Sequence, residues 1–276
     1  MEGSSDIISK VKEEAQNLEM GREDIASIID FTELSPYVKE ENIKRLCERA
    51  IDFEFHSVAV NPYYTDKCSD ILSQQDVKIA STIGFPLGQI SPELKALESE
   101  KVRENGADEI DMVMNIAAFR DEKYGLVRDE IRKVVDVSQE CVVKVILETG
   151  YLTYEEIEKA CKIVKESGAD FVKNSTGFGP CGSNIPHIYL MRKSVGKDFG
   201  VKAAGGISNF ADSLLMVAAG ADRIGSSSGV EILDSYELGK RLDFENSSCS
   251  KPPCVKISKD DVPTSVYEYY QIKCSD

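Results

Sequence analysis

Long apolar runs are missing from this chain. No stretch approaches the roughly 20 consecutive apolar residues that a membrane-crossing helix needs, so no membrane partner is expected. The opening residues Met1-Glu2-Gly3-Ser4-Ser5-Asp6 lack a basic segment followed by an apolar core, so a secretory leader is not expected either. Histidine is scarce, with His56 and His187 alone. The eight cysteines show no C-x-x-C spacing. Together these shortages argue against a zinc cluster and a disulfide framework; no metal or cofactor is expected, and the cytoplasm is the expected compartment. Positive charge is also short: 33 Lys and Arg stand against 48 Asp and Glu, a net −15. Such a chain repels phosphodiester backbones, which argues against nucleic acid as a partner.

Apolar residues make up 42% of the 276 positions, enough for a sizeable core. Three phrases repeat in outline: Glu104-Asn105-Gly106-Ala107-Asp108, Glu166-Ser167-Gly168-Ala169-Asp170 and Ala218-Ala219-Gly220-Ala221-Asp222. Each follows a helical pattern and precedes an apolar run. Glycine just past a helix end accepts positive φ, so each phrase reads as the helix-to-strand half of a βα unit. Eight strands are expected, over Ile25–Phe31, His56–Asn61, Val77–Ile83, Glu109–Met114, Val142–Glu148, Phe171–Asn174, Val201–Ala204 and Arg223–Ser226. The segments between them have helical length. Pro36–Ala50 and Tyr154–Glu166 show helical spacing, Ser91-Pro92-Glu93 reads as a cap with proline in the first turn, and Ser208 reads as the cap of a helix to Ala219.

Strict alternation implies a parallel sheet covered by helices. Eight units fit a (β/α)8 TIM barrel, class α/β; an open doubly wound sheet uses the same alternation. The position of polar residues separates the two. Asp111, Lys144, Lys173 and Lys202 fall on four different strands, and a barrel can bring them to one axis where an open sheet spreads them along an edge. The expected organisation is a helical lead-in over residues 1–24, the barrel over 25–245, and a proline-rich tail over 246–276 ending in Tyr267-Glu268-Tyr269-Tyr270.

Lys173 and Lys202 each end a short apolar run and precede a glycine-bearing turn. Burying an ammonium is costly, so two at equivalent places call for a chemical reason. A lysine amine attacks a carbonyl only when neutral, and its ordinary pKa near 10.4 leaves almost none neutral at pH 7. A second ammonium about 5 Å away, at an effective dielectric of about 20, repels it by roughly 3 kcal/mol, or about two pKa units. Asp111, in the run Glu109-Ile110-Asp111-Met112-Val113, can shuttle protons beside them. It can equally serve as an ion-pair partner of Lys144 or Lys202. Asp30 ends the first strand and can join the same network or cap a turn. The turns Ser175-Thr176-Gly177, Gly205-Gly206 and Gly225-Ser226-Ser227-Ser228-Gly229 follow strands six, seven and eight, where barrels bind phosphate through backbone N–H groups.

These motifs, with Asp30-Phe31-Thr32, Val60-Asn61-Pro62, Ser81-Thr82-Ile83-Gly84-Phe85-Pro86 and Lys144-Val145-Ile146-Leu147-Glu148, resemble the deoxyribose-phosphate aldolase family across about residues 20 to 242. The resemblance implies a metal-independent class I aldolase that reversibly cleaves 2-deoxy-D-ribose 5-phosphate, a small sugar phosphate. It implies Lys173 as the Schiff-base lysine, Lys202 as the lysine that perturbs it, and Asp111 as the acid/base. It places Asp30, Thr32, Lys144 and Thr176 around the sugar, and Gly177, Gly205, Gly206, Gly225, Ser226 and Ser227 around the phosphate. Two positions depart from the family: Asn174 replaces a threonine, and Ser208 stands where many members carry arginine. Barrels of this sort often self-associate through outer helices, so a homo-oligomer is an expectation. An aldolase acting on a longer keto-sugar phosphate, and a barrel that binds without turnover, remain the competing readings.

Overall fold

Eight parallel strands close on themselves in sequence order in the computed structural model, which describes residues 4–239. They are β1 Ile29–Glu33, β2 Ser57–Val60, β3 Lys78–Ile83, β4 Glu109–Val113, β5 Val142–Ile146, β6 Phe171–Lys173, β7 Gly200–Ala204 and β8 Arg223–Ser226. Pairing of β1 with β8, Asp30 opposite Gly225, closes the barrel and rules out the open sheet. The tail expected over 246–276, with Tyr267, Tyr269 and Tyr270, lies outside the described residues.

Period-two alternation divides the barrel into two chemistries. Ile110, Met112, Val143, Val145, Val172, Val201, Ala203 and Ile224 join the apolar layer beneath the helices. The intervening positions, Glu109, Asp111, Lys144, Lys173, Lys202 and Arg223, turn to the axis and meet one another there.

The three repeated phrases end helices as expected, with Gly106, Gly168 and Gly220 at φ of 95°, 89° and 107°. Their aspartates do more than the sequence reading assigned. Asp108, Asp170 and Asp222 each accept the backbone N–H of an early residue in the preceding strand: Ile79 at 2.9 Å, Val143 at 2.8 Å and Val201 at 2.8 Å. Each repeat therefore fixes the foot of one strand to the next.

Ser91 caps the helix Pro92–Glu104, and Thr153 with Glu156 forms a reciprocal cap on the helix Tyr154–Glu166. Three expected boundaries are corrected. Residues Arg22–Ala26 form a short helix in place of the start of the first strand, because Asp24 accepts the Gly21 N–H at 2.7 Å and sets a helical turn there. The next helix begins at Glu40, not Pro36, with Asn42 accepting the Lys39 N–H at 3.1 Å. Asn209, not Ser208, caps Phe210–Ala218, its Oδ1 accepting from Asp212 N at 2.9 Å. The lead-in helix Ser4–Gln16 buries Val11 and Ala15 and lies against the helices Ile185–Val195 and Phe210–Ala218.

Candidate active site

Asp111 is the hub. Its Oδ1 accepts from Lys144 Nζ at 2.9 Å, and its Oδ2 accepts from both Lys173 Nζ and Lys202 Nζ at 2.8 Å. Strand register makes this possible: Asp111 pairs with Lys144 across β4 and β5, and Lys173 pairs with Lys202 across β6 and β7. Below the hub, Asp30 pairs with Lys202 and accepts from Arg223 Nη1 at 2.9 Å. Glu109 accepts from Lys144 at 2.5 Å and from Arg223 at 3.2 Å, and His56 Nε2 lies 3.2 Å from its Oε1. Asp30, Glu109 and His56 bring ligand atoms within 4.8 Å of one another. Their carboxylates, however, are already engaged by Arg223, Lys144 and Lys202.

Burial penalises every charge in this axis, and the partners decide which charges survive it. Asp111 and Asp30 are held well below the ordinary carboxylate range despite burial, because three cations face each of them. Lys144, facing Asp111, Asp30 and Glu109, is pushed up. Lys173 goes the other way, to about 8. Burial is the largest cause; Asp111 opposes it, and repulsion from Lys202 and Lys144 adds to it. The expected effect of the second lysine is thus present but ranks behind desolvation.

Above Lys173 the axis opens into a cavity of about 260 Å³. Thr32, Lys173, Thr176, Gly177, Gly205, Gly206, Gly225, Ser226 and Ser227, nine of the residues named from the sequence, all line it. Asp30 and Lys144, expected around the sugar, lie buried beneath that cavity and not in its wall. Lys173 is the one cation among the described lining residues, and Glu33 the one acid. A Cβ on Gly182 would stand 2.3 Å from the Gly205 carbonyl oxygen, so the two loops touch backbone to backbone. Gly205 itself has a φ of 95°. Asn174 has a clear local use: its Oδ1 accepts the Ala204 N–H at 2.8 Å and ties the ends of β6 and β7 together.

Three participants escaped the sequence reading. Glu109 and Arg223 carried a signal, since each sits two residues before a residue assigned to the site, Asp111 and Gly225. Glu148 closes the motif that begins at Lys144, but its partner lies far off in the chain. It leaves β5 with φ at 52°, and its buried carboxyl accepts the Thr176 N–H at 3.1 Å and the Thr176 hydroxyl. It thereby holds the loop beside Lys173.

A family model described as DeoC/LacD family aldolase matches residues 16–235. The chain belongs to this family. A deoxyribose-phosphate aldolase of Thermococcus kodakarensis is 51% identical over 219 residues, which is 78% of this chain and 98% of the relative. One from Clostridium tetani is 50% identical over 212 residues, 76% of this chain and 98% of its own. A solved structure, described as a unique tetrameric deoxyribose phosphate aldolase from Aeropyrum pernix, superposes with a TM-score of 0.78 at 35% identity, covering 83% of this chain and 97% of that one. A DeoC/LacD family aldolase is a lyase, and the lysine-lined axis with the cavity above it is the candidate site for that chemistry.

Proposed function

We propose that the chain reversibly cleaves 2-deoxy-D-ribose 5-phosphate to D-glyceraldehyde 3-phosphate and acetaldehyde through a Schiff base on Lys173. One observation carries this reading: Lys173 is a buried amine whose pKa falls to about 8, 2.8 Å from a carboxylate and facing an open cavity.

Neutral Lys173 Nζ adds to the C1 aldehyde of the open-chain sugar, and loss of water leaves an iminium. The C3 hydroxyl gives up its proton and the bond between C2 and C3 breaks, its electron pair passing into the iminium to form an enamine. The triose phosphate departs as an aldehyde. Protonation of the enamine at C2 and hydrolysis release acetaldehyde and free Lys173. Asp111, a carboxylate at rest, takes up each proton and returns it through water, and Lys202 donates to the same carboxylate oxygen beside the nitrogen. Thr32 and Thr176 meet the sugar, while Gly177, Gly205, Gly206, Gly225, Ser226 and Ser227 bring backbone and hydroxyl donors to the phosphate. Lys144 and Asp30 act from below, by fixing Asp111 and Lys202. Holding the phosphate at a distance orients the small reacting end.

The match covers 98% of the Thermococcus and of the Clostridium relative, which supports residues 25–245 as the working unit. The tetrameric Aeropyrum pernix structure supports a homo-oligomer. Cys47, Cys68, Cys141 and Cys161 are thiols outside any disulfide, which supports a reducing compartment, the cytoplasm. Among the described residues no helix is long and apolar enough to cross a membrane.

Borohydride reduction in the presence of deoxyribose 5-phosphate tests the assignment. It should add the mass of the reduced adduct at Lys173, and Lys173→Ala should release no acetaldehyde. An adduct at another lysine would reject it.

A further inference from the structure

The axis holds four cations, Lys144, Lys173, Lys202 and Arg223, against three carboxylates, Asp30, Glu109 and Asp111. Fully ionised it carries one excess positive charge. Loss of a single proton makes it neutral, and Lys173 is the member at the open end. Glu109 sits at the other end. It faces Lys144 from β5, Arg223 from β8, Asp30 from β1 and His56 ahead of β2. Beneath it, on the opposite face of the barrel from the substrate cavity, lies a second cavity of about 590 Å³ whose wall includes Lys78, Arg103, Asp108 and Glu140. Glu109 lines this lower cavity and not the upper one.

We propose that Glu109, out of substrate's reach, is a positioning residue of the reaction: it holds Lys144 against Asp111, and its charge governs how readily Lys173 gives up its proton. This rests on Lys173 being the reacting amine. The path is short. Glu109 Oε2 meets Lys144 at 2.5 Å, Lys144 meets Asp111 Oδ1 at 2.9 Å, and Asp111 Oδ2 meets Lys173 at 2.8 Å. The groups facing Lys173 are Asp111, Lys202, Lys144 and Glu148, so Glu109 acts on it through Lys144 and through space. Arg223 is the counterweight, a cation at the same depth.

The two ends of this couple have opposite signs. Removing the Glu109 charge leaves an axis two charges positive, which favours the neutral amine. Removing the Arg223 charge leaves an axis that is neutral with Lys173 protonated, which favours the ammonium. A unit charge about 10 Å away, at an effective dielectric of about 20, moves a pKa by about one unit. The acid limb of kcat/KM for deoxyribose 5-phosphate should therefore fall by about one pH unit in Glu109→Gln and rise by about one in Arg223→Gln. Borohydride adducts on Lys173 should form in both variants. A purely structural Glu109 would lower activity in either variant without moving the limbs in opposite directions, and that result overturns the proposal. If Glu109→Gln fails to fold, Arg223→Gln decides alone: an acid limb unmoved or lowered is fatal. Absence of a Lys173 adduct in the unaltered protein would instead sink the assignment of the amine.

Discussion

Lys173 and Lys202 stand side by side on neighbouring strands, and both ammonium groups touch one oxygen, Asp111 Oδ2, at 2.8 Å. A shared acceptor holds two like charges together that would otherwise separate. Lys202 is fully buried and held by Asp30 as well, whereas Lys173 borders the cavity and has Asp111 as its hydrogen-bonded carboxylate. The asymmetry selects which amine loses its proton. With its pKa lowered to about 8, Lys173 as the reacting amine should be mostly ammonium below that pH, so kcat/KM should climb with pH up to about 8.

Replacing Lys202 by methionine removes a repelling charge and leaves Asp111 to Lys173 and Lys144. The Lys173 ammonium is then favoured, and its pKa should rise by about two units. Turnover at pH 7 should drop by about 100-fold and recover as the pH approaches 10. A pH–rate profile checks this. A loss that is the same at every pH would show that Lys202 acts in some other way.

Asp111→Asn leaves four cations facing two carboxylates in a buried axis. Removing one partner of a buried ion pair costs about 3–5 kcal/mol. The cost should be largest at pH 7 and should shrink near pH 10, where Lys173 is neutral at no expense. Urea unfolding at the two pH values measures it. For the unaltered protein the sign differs: the Asp111 carboxyl is held below its ordinary value, so its contribution is complete above about pH 4 and fades as acid reaches its folded-state pKa.

A second buried pair lies outside the site. Lys95 Nζ donates to Glu130 at 2.7 Å and to the Val113 carbonyl at 2.8 Å, and Glu130 also accepts the Asn115 N–H at 2.6 Å. Neither side chain is exposed. The pair ties the end of β4 to the helices Pro92–Glu104 and Tyr124–Ser138. Lys95→Met should destabilise by about 3–5 kcal/mol, and Lys95→Met with Glu130→Leu should recover most of that, because no charge is left unpaired. Thermal melts of the single and double variants decide it; equal losses in both would mean that packing, not charge, sets the cost.

How much of this was legible beforehand follows from which signals are local. The Gly-Ala-Asp phrases marked three strand entries because a helix end requires its glycine wherever the helix lies. The run Ile25–Phe31 misled, since its buried Ile25 and Ala26 belong to a helical turn fixed by Asp24, a cap two apolar residues cannot reveal. Lys173, Lys202 and Asp111 were readable as charges out of place in apolar strands. Glu109 and Arg223 were not singled out, because a charge at a strand's first residue looks like a solvated end until the barrel closes over it. Glu148 depended on a left-handed turn between distant segments. Nothing near it in the chain announces Thr176 as its partner.

Ser208 offers a test of how the phosphate is held. It lines the upper cavity and is exposed. With Lys173 engaged in chemistry, the described wall leaves phosphate to neutral donors and sets Glu33 among them. A guanidinium there would add a bidentate, charge-assisted contact. At an exposed rim this is worth about 1 kcal/mol, since solvent and salt screen it. Ser208→Arg should therefore lower the KM for deoxyribose 5-phosphate about fivefold, with kcat and the pH of the acid limb unchanged. The gain should shrink as ionic strength rises, and it should vanish for unphosphorylated deoxyribose. Equal improvement on both sugars would place the phosphate elsewhere than the turns after β6, β7 and β8.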